Sequence, residues 1–395
     1  ESRLRGLYRL STRNFDEADF ALSDISVTPP TSAGGARIGR LAFVGAAKAG
    51  ADGQWSGDYG LHADRIAVTD PSDGARTLIG AIRYDVTFAG RLAELVTRLG
   101  ATGALDDPSF FDPADKDETT QRRMIGVIAE VPRFFAGIGA ALSIADLSHI
   151  GAGPAPFAAS LGSARIAINL DGKDGVADLA LALSANAADL PATALGLPPA
   201  VAPTAVEAVL DLKEVAAGAL WDRFFREWSI ALGRQEAGAD DEERFAGAAD
   251  DAAALLRPAL DELLAMRPPI LALRRLTLAT PAARLEATGE ARSAPASPHQ
   301  VAGGMTIKVA GLDKLIEQVS AMGPDYTARR ATPMLMLARG IARPVTRADG
   351  TVEHEIEIAL APDGKVTING VAADALLGGA DRPAPAAGPK SPPRR

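Results

Sequence analysis

Hydrophobic and polar positions alternate over short runs along much of this chain, and three of the runs lead through a glycine into helical spacing. Ile82, Tyr84, Val86 and Phe88 alternate up to Gly90, after which Leu92, Leu95, Val96 and Leu99 recur at i, i+3, i+4 and i+7. The first pattern marks a half-buried strand and the second one face of a helix. Met305, Ile307 and Val309 lead to Gly311, followed by Leu312, Leu315, Ile316 and Val319. Val206, Ala208, Leu210 and Leu212 precede Gly218, with Trp221, Phe224, Phe225 and Trp228 in the same register. Such repetition predicts an architecture made by iterating one supersecondary unit.

Between these modules the pattern is mostly strand and turn. Phe20, Leu22, Ile25 and Val27 run into Pro29-Pro30, and Ile38, Leu41 and Phe43 follow Gly34-Gly35. Tyr59, Leu61, Ala63, Ile66 and Val68 precede a turn at Asp70-Pro71-Ser72-Asp73-Gly74. Short apolar runs spaced by Gly, Pro and Asp predict an antiparallel meander. The clearest hairpin has Ile166, Ile168 and Leu170 alternating into Asp171-Gly172, and Leu179, Leu181 and Leu183 alternating out. Leu271, Leu273, Leu276 and Leu278 predict a strand that returns through Leu285 and Ala287. A last hairpin joins Ile356, Ile358 and Leu360 to Val366 and Ile368 across Asp363-Gly364. From Thr120 to Ala145 the spacing reads as helical, with the apolar run Phe134 to Ala145 patterned like a buried or interfacial helix. The acidic, Ala/Gly-rich stretch Gly233 to Asp251 reads as a loop, with a helix through Leu255, Leu256, Leu260, Leu263 and Leu264 after it.

The fold class expected is therefore α+β: an elongated antiparallel sheet built from repeated strand–strand–helix modules, with the helices covering one face. Composition shifts suggest a β-rich module over 1–110, a helical connection over 111–160 and a β-rich body with two strand–helix modules over 161–380. The tail 381–395, rich in proline and basic residues, is expected to be disordered or extended.

Composition narrows the function more than it identifies it. A net charge of −9 and a pI near 5.1 argue against a dedicated nucleic-acid binder, which needs a basic surface to displace phosphate counterions. The chain has no cysteine, which excludes disulfides, thiol catalysis and zinc–thiolate sites. A cysteine-free chain is at home in cytosol or periplasm. No apolar run reaches the roughly 20 residues of a spanning helix. The chain opens at Glu1, so a removed signal peptide or membrane anchor is one expectation and a trimmed chain the other.

Candidate chemistry is sparse. Four histidines, His62, His149, His299 and His354, lie far apart. In Glu353-His354-Glu355-Ile356-Glu357 a strand would turn the glutamates to one face and the histidine to the other, so the cluster reads as a solvated edge rather than a metal site. The acidic run Asp240-Asp241-Glu242-Glu243 lacks the spacing and turn glycine of a calcium loop. Neither a phosphate loop nor an HExxH or GxSxG motif occurs. The reading is thus of a non-enzyme without cofactor or metal, and a hydrolase would rest only on dispersed acids. Trp221, Phe224, Phe225 and Trp228 form one helix face that either docks on a sheet, lines an apolar groove or touches a membrane interface.

The segment GGMTIKVAGLDKLIEQV and the closing DGKVTING resemble the YdgA-type periplasmic proteins and their alphaproteobacterial relatives, within the broader AsmA-like envelope group. The resemblance covers about residues 270–375, and more loosely 35–100. It implies export, a periplasmic location, an elongated β-rich body and lipid handling, and it carries over no catalytic residue. Its anchor and tail depart from the pattern, which bears on any peripheral attachment to a membrane.

The expectation for function is a non-enzymatic envelope protein that holds a lipid or another hydrophobic ligand in a sheet groove. The candidate groove residues are Trp221, Phe224, Phe225 and Trp228 with Ile166, Ile168, Leu179, Leu181 and Leu183. The alternative is a structural or assembly factor that binds envelope protein partners through strand edges or the tail.

Overall fold

A computed structural model describes residues 2–9, 14–27, 34–50, 53–104, 106–107, 109–114, 116–152, 158–173, 175–189, 200–234, 241–294, 297–321 and 326–376. Among them, sixteen strands join one antiparallel sheet in which nearly every strand pairs with its neighbours in sequence. The long strands come first: β1 (Ser2–Arg9), β2 (Asn14–Val27), β3 (Gly35–Ala49), β4 (Trp55–Thr69), β5 (Arg76–Gly90), β6 (Phe135–Ile150), β7 (Ala158–Lys173) and β8 (Val176–Asp189). Shorter ones follow: β9 (Ala205–Val215), β10 (Ile270–Ala279), β11 (Arg284–Ser293), β12 (Val301–Ala310), β13 (Arg343–Thr346), β14 (Val352–Leu360), β15 (Val366–Ile368) and β16 (Val371–Ala372). Only β13 leaves the linear order, pairing with β14, while β12 pairs with β14 directly.

The register explains why the pattern of alternation recurs. Partners facing each other across strands share a face of the sheet. One such row runs Phe20, Phe43, Leu61, Tyr84, Leu142, Ile166, Leu183, Ala208, Leu276, Ala287, Ile307 and Ile356 from β2 to β14. It is apolar at every position. At about 4.8 Å per strand the row is roughly 50 Å long.

A crease crosses the long strands. Asp24, Arg65 and Asp146 adopt left-handed φ angles of 55°, 56° and 53° in the middle of β2, β4 and β6. The paired register skips each of them together with Gly39, Gly80 and Gly162 on the intervening strands. Glycine is needed opposite them. A Cβ on Gly80 would lie 2.8 Å from the Asp146 Cβ, and one on Gly39 3.0 Å from the Arg65 Cβ. The crease shifts the apolar phase by one residue, from Leu22 to Ile25, from Leu41 to Ile38, from Ala63 to Ile66 and from Ile144 to Leu147. In an uninterrupted strand that shift would turn the second half inside out. Here Leu147 and Leu161 from beyond the crease line one cavity with Ala185 and Val206 from before it, so the apolar side remains the same.

The helices are connections rather than a second layer. The molecule is mostly β, and its helices do not form a cover over one sheet face. The first group is α1 (Leu92–Ala101), α2 (Glu118–Glu130), α3 (Ala217–Leu232) and α4 (Asp241–Met266). These leave and re-enter the sheet at the end marked by Gly90, Phe135, Val215 and Ile270. Asp117 caps α2 by accepting from the Thr120 N–H at 2.7 Å. The opposite end carries α5 (Leu312–Ser320), which starts after Gly311 at φ 74°, and α6 (Tyr326–Ile341). A short α7 (Ala373–Leu376) closes the described chain.

Three local expectations change. The run Phe134 to Ala145 is mainly strand β6 rather than a helix, because Ile138, Leu142 and Ile144 pair with Leu170, Ile166 and Ala164 in alternation. That strand also lies within the stretch read as a helical connection. The acidic segment after Gly233 is helical from Asp241 onward, with Ala248 and Ala252 fully buried in a core shared with α3, and residues 235–240 lie outside the described residues. The tail 381–395 lies outside the described residues.

Candidate functional site

The largest side chains that are fully buried, Met124, Ile125 and Leu232, belong to the helical end and not to the sheet. There Ile125, Phe225, Trp228, Ala231, Leu232, Ala248 and Ala252 close a small core between α2, α3 and α4. The Trp228 indole donates to the Phe245 carbonyl at 3.2 Å, and the Trp221 indole to that of Ala129 at 3.0 Å. Trp221 and Phe225 ring centroids are 4.7 Å apart, and those of Phe224 and Phe225 5.0 Å. The aromatic face of α3 therefore meets other helices. Ile166, Ile168, Leu179, Leu181 and Leu183 lie on β7 and β8, the second of which α3 also contacts.

Those five residues share the apolar face of the sheet. Between β2 and β8, each member of the main row is partly open to solvent, from 37% for Phe20 to 49% for Leu61. The flanking row includes Ile168 at 47%, and the next Ile138, Leu170 and Leu179, all exposed. Toward β3–β5 the face is aromatic: Tyr59 stacks between Phe43 and Phe88 at 5.9 and 5.8 Å. The rings lean over Gly45 and Gly57, where any side chain would collide with them. No described helix is laid across this part. From β9 onward the face is more closed, and Ala287 is buried.

Beyond the crease the face dips into a shallow cavity of about 270 Å³, lined by Leu147, His149, Leu161, Ala185, Pro203 and Val206. His149 Nδ1 is 3.0 Å from the Thr77 hydroxyl, and with Ser160 it is the polar part of a mainly apolar lining. Typical small-molecule clefts enclose roughly 300–1,000 Å³, so the hollow is small by itself and the open face is the larger feature.

The reverse face differs in kind. Buried alanines, among them Ala42, Ala141 and Ala167, form its floor. Ion pairs stand over it: Arg83–Asp64 at 3.1 Å, His62–Asp85 at 2.8 Å, Arg275–Glu207 at 3.2 Å and Lys308–Glu355 at 3.2 Å. Asp211, only 2% exposed, is paired with Arg274 and lies 3.8 Å from Lys213. Glu353 is buried on this face as well, with Arg347 on it, while the next residue, the buried His354, turns to the side of Ile356. The strand carrying them is flanked by β12, β13 and β15, so the solvated edge expected there is an interior strand.

Among the described residues, no group of three or more metal-ligating side chains converges, and no helix is long and apolar enough to cross a membrane. The β7–β8 candidates named from the sequence lie on this apolar face, which also takes in Phe43, Tyr84 and Leu142. Phe43 and Tyr84 lay in alternating runs and Leu142 in a run read as helical, and only pairing shows that they extend the same row. Compared with family models, curated proteins and solved structures, the chain finds no significant match.

Proposed function

We propose that this is a non-enzymatic protein of the bacterial envelope that holds a lipid or another hydrophobic ligand against the apolar face of its sheet. The observation that carries the reading is the uncovered apolar row from Phe20 to Leu183, seven strands wide. Contiguous apolar surface of this extent usually marks an interaction site, because monomers seldom leave it in water. Each methylene withdrawn from water gains about 0.8 kcal/mol. Roughly ten methylenes laid along the strands would gain about 8 kcal/mol before the cost of ordering the chain. Long acyl or isoprenoid chains suit a broad open face better than a compact solute would. A periplasmic location and kinship with AsmA-like proteins belong to this same reading and share its test.

The experiment is mass spectrometry of organic extracts from protein purified gently out of an envelope fraction. A stoichiometric lipid or isoprenoid that is missing from a control protein, and that is lost in Ile168→Asp, supports the proposal. A clean extract from folded protein refutes it and favours a partner-binding assembly factor.

A further inference from the structure

One pair of residues on the apolar face does not match its surroundings. From β3 to β8 the paired rows of this side consist of glycine, alanine, larger aliphatic residues and aromatic rings, with two exceptions. These are Thr77 and His149, which face each other across β5 and β6. Their row is the outermost on this side and reads Ala36, Val68, Thr77, His149 and Ala159. Apart from the tyrosine phenols, His149 is the only ionisable side chain in those rows. It also lines the hollow, beside Leu147, Leu161 and Val206. Ser160, the other polar residue of the lining, pairs with Ser148 in the alternate row and so belongs to the reverse side.

We infer that the ligand of this face is a long-chain carboxylic acid, with its head against His149 and Thr77 and its chain laid back over Leu147, Ile144 and Ile166. This rests on the lipid-holding reading and gives that lipid a head group. His149 Nδ1 and the Thr77 hydroxyl are 3.0 Å apart, and in either ring tautomer the pair carries one polar hydrogen besides the one they share. It sits on Nε2 when the hydroxyl donates, and on the hydroxyl when Nδ1 does. A carboxyl group brings two oxygens to this pair. A phosphodiester or sugar head brings more polar atoms than so apolar a lining can satisfy, and each one left unpaired out of water costs free energy. An acid and an imidazole form a hydrogen bond whichever of them holds the proton, and the ionised form is the stronger. The paired rows hold no carboxylate to repel an anion. In the adjoining turn, Asp70 accepts from Ser72 and Asp73 from the Ala75 N–H. The hollow, at about 270 Å³, takes the head and the first methylenes, so the rest of the chain needs the open face. Strands β5 and β6 end one residue past Thr77 and His149, so along them the apolar surface continues only back across the crease.

The test is equilibrium binding of cis-parinaric acid and of its methyl ester to the full chain, read by the fluorescence of the polyene. An apolar face alone would favour the ester, because the carboxylate gives up more hydration on binding. The parent is expected to prefer the acid about tenfold or more, as a hydrogen bond to a charged group allows. His149→Leu should lose that preference while binding the ester as the parent does. Thermal melting checks that it folds, and Thr77→Val takes its place if it does not. Ile168→Asp should weaken acid and ester alike, which marks the face rather than the head. Equal binding of the two probes by the parent, or an undiminished preference for the acid in the head-group variant, overturns the inference and leaves the lipid-holding reading standing. A phospholipid as the stoichiometric lipid in the organic extract does the same. Binding of neither probe also overturns it, and the extract then judges the broader reading by itself.

Discussion

One sheet presents two faces that solve the problem of burial in opposite ways. On the polar face the backbone is floored with alanines, and charged side chains arch over them in pairs such as Arg83–Asp64. On the other face large residues from Phe20 to Leu183 stand a third to a half exposed with no second layer above them. Sheets ordinarily bury an apolar face against helices or another sheet. Here the helices with the tightest packing are gathered at one end instead, around Leu232 and Ile125. The difference teaches that the two faces are under different demands: one is finished by the chain itself, and the other is left for something else to cover.

The contrast depends on the crease that keeps the apolar side of β2–β7 on one face. Breaking it should give the largest effect. Gly80→Ala ought to destabilise by about 2 kcal/mol in urea unfolding, because the new Cβ meets Asp146, even though the same change at an unstrained site stabilises. Asp146→Gly alone should gain about 1 kcal/mol by removing the left-handed strain, and in that background Gly80→Ala should become nearly harmless. Additive effects in the double variant would show that the two positions are uncoupled. Ile168→Asp on the open face is expected to cost under about 1 kcal/mol of stability yet to abolish co-purifying lipid. Cooperative unfolding by this change would instead show that the face is ordinary core.

On the polar face, Arg83→Ala should cost about 0.5 kcal/mol, less at high salt, and leave any lipid in place. The smallest effect concerns the turns. Asp70, Asp107, Asp117, Asp349 and Asp363 each accept hydrogen bonds from neighbours two or three residues on, which hold their carboxyls below the ordinary value of 3.8. A depressed carboxyl stabilises the fold fully above 3.8 and ceases to do so as pH falls through its lowered value. Amide exchange at Ser72 and Ser109 should therefore quicken only in strong acid.

Much of this sheet was legible from alternation alone, because strand neighbours are also sequence neighbours and the chain order gives the pairing. The hairpins at 166–183 and 356–368 have the expected strands, although the first pairs on through Asp171 and Gly172, which were read as its turn. The crease was visible but unread. Leu22 to Ile25, Ile38 to Leu41 and Ala63 to Ile66 each break alternation by one residue, and the break recurs at a matching height in successive strands. A single such step resembles noise, and its meaning requires the register. The repeated strand–glycine–helix plan misled about packing. It describes three exits from the sheet, but α1 and α3 leave at one end and α5 at the other, so they cannot form one covering layer. The α3 aromatics could not be placed from the sequence either. An apolar helix face needs a partner, and periodicity does not say whether that partner is a sheet, a ligand or other helices.

A meander in which contacts stay between consecutive strands has an unusual freedom. Removing or inserting one whole hairpin would leave the remaining rows in register, much as a link can be taken from a chain without reshaping the others. The length of the apolar face is thus a quantity that can be inherited in steps of two strands, roughly 10 Å at a time, while the chemistry of each step stays the same.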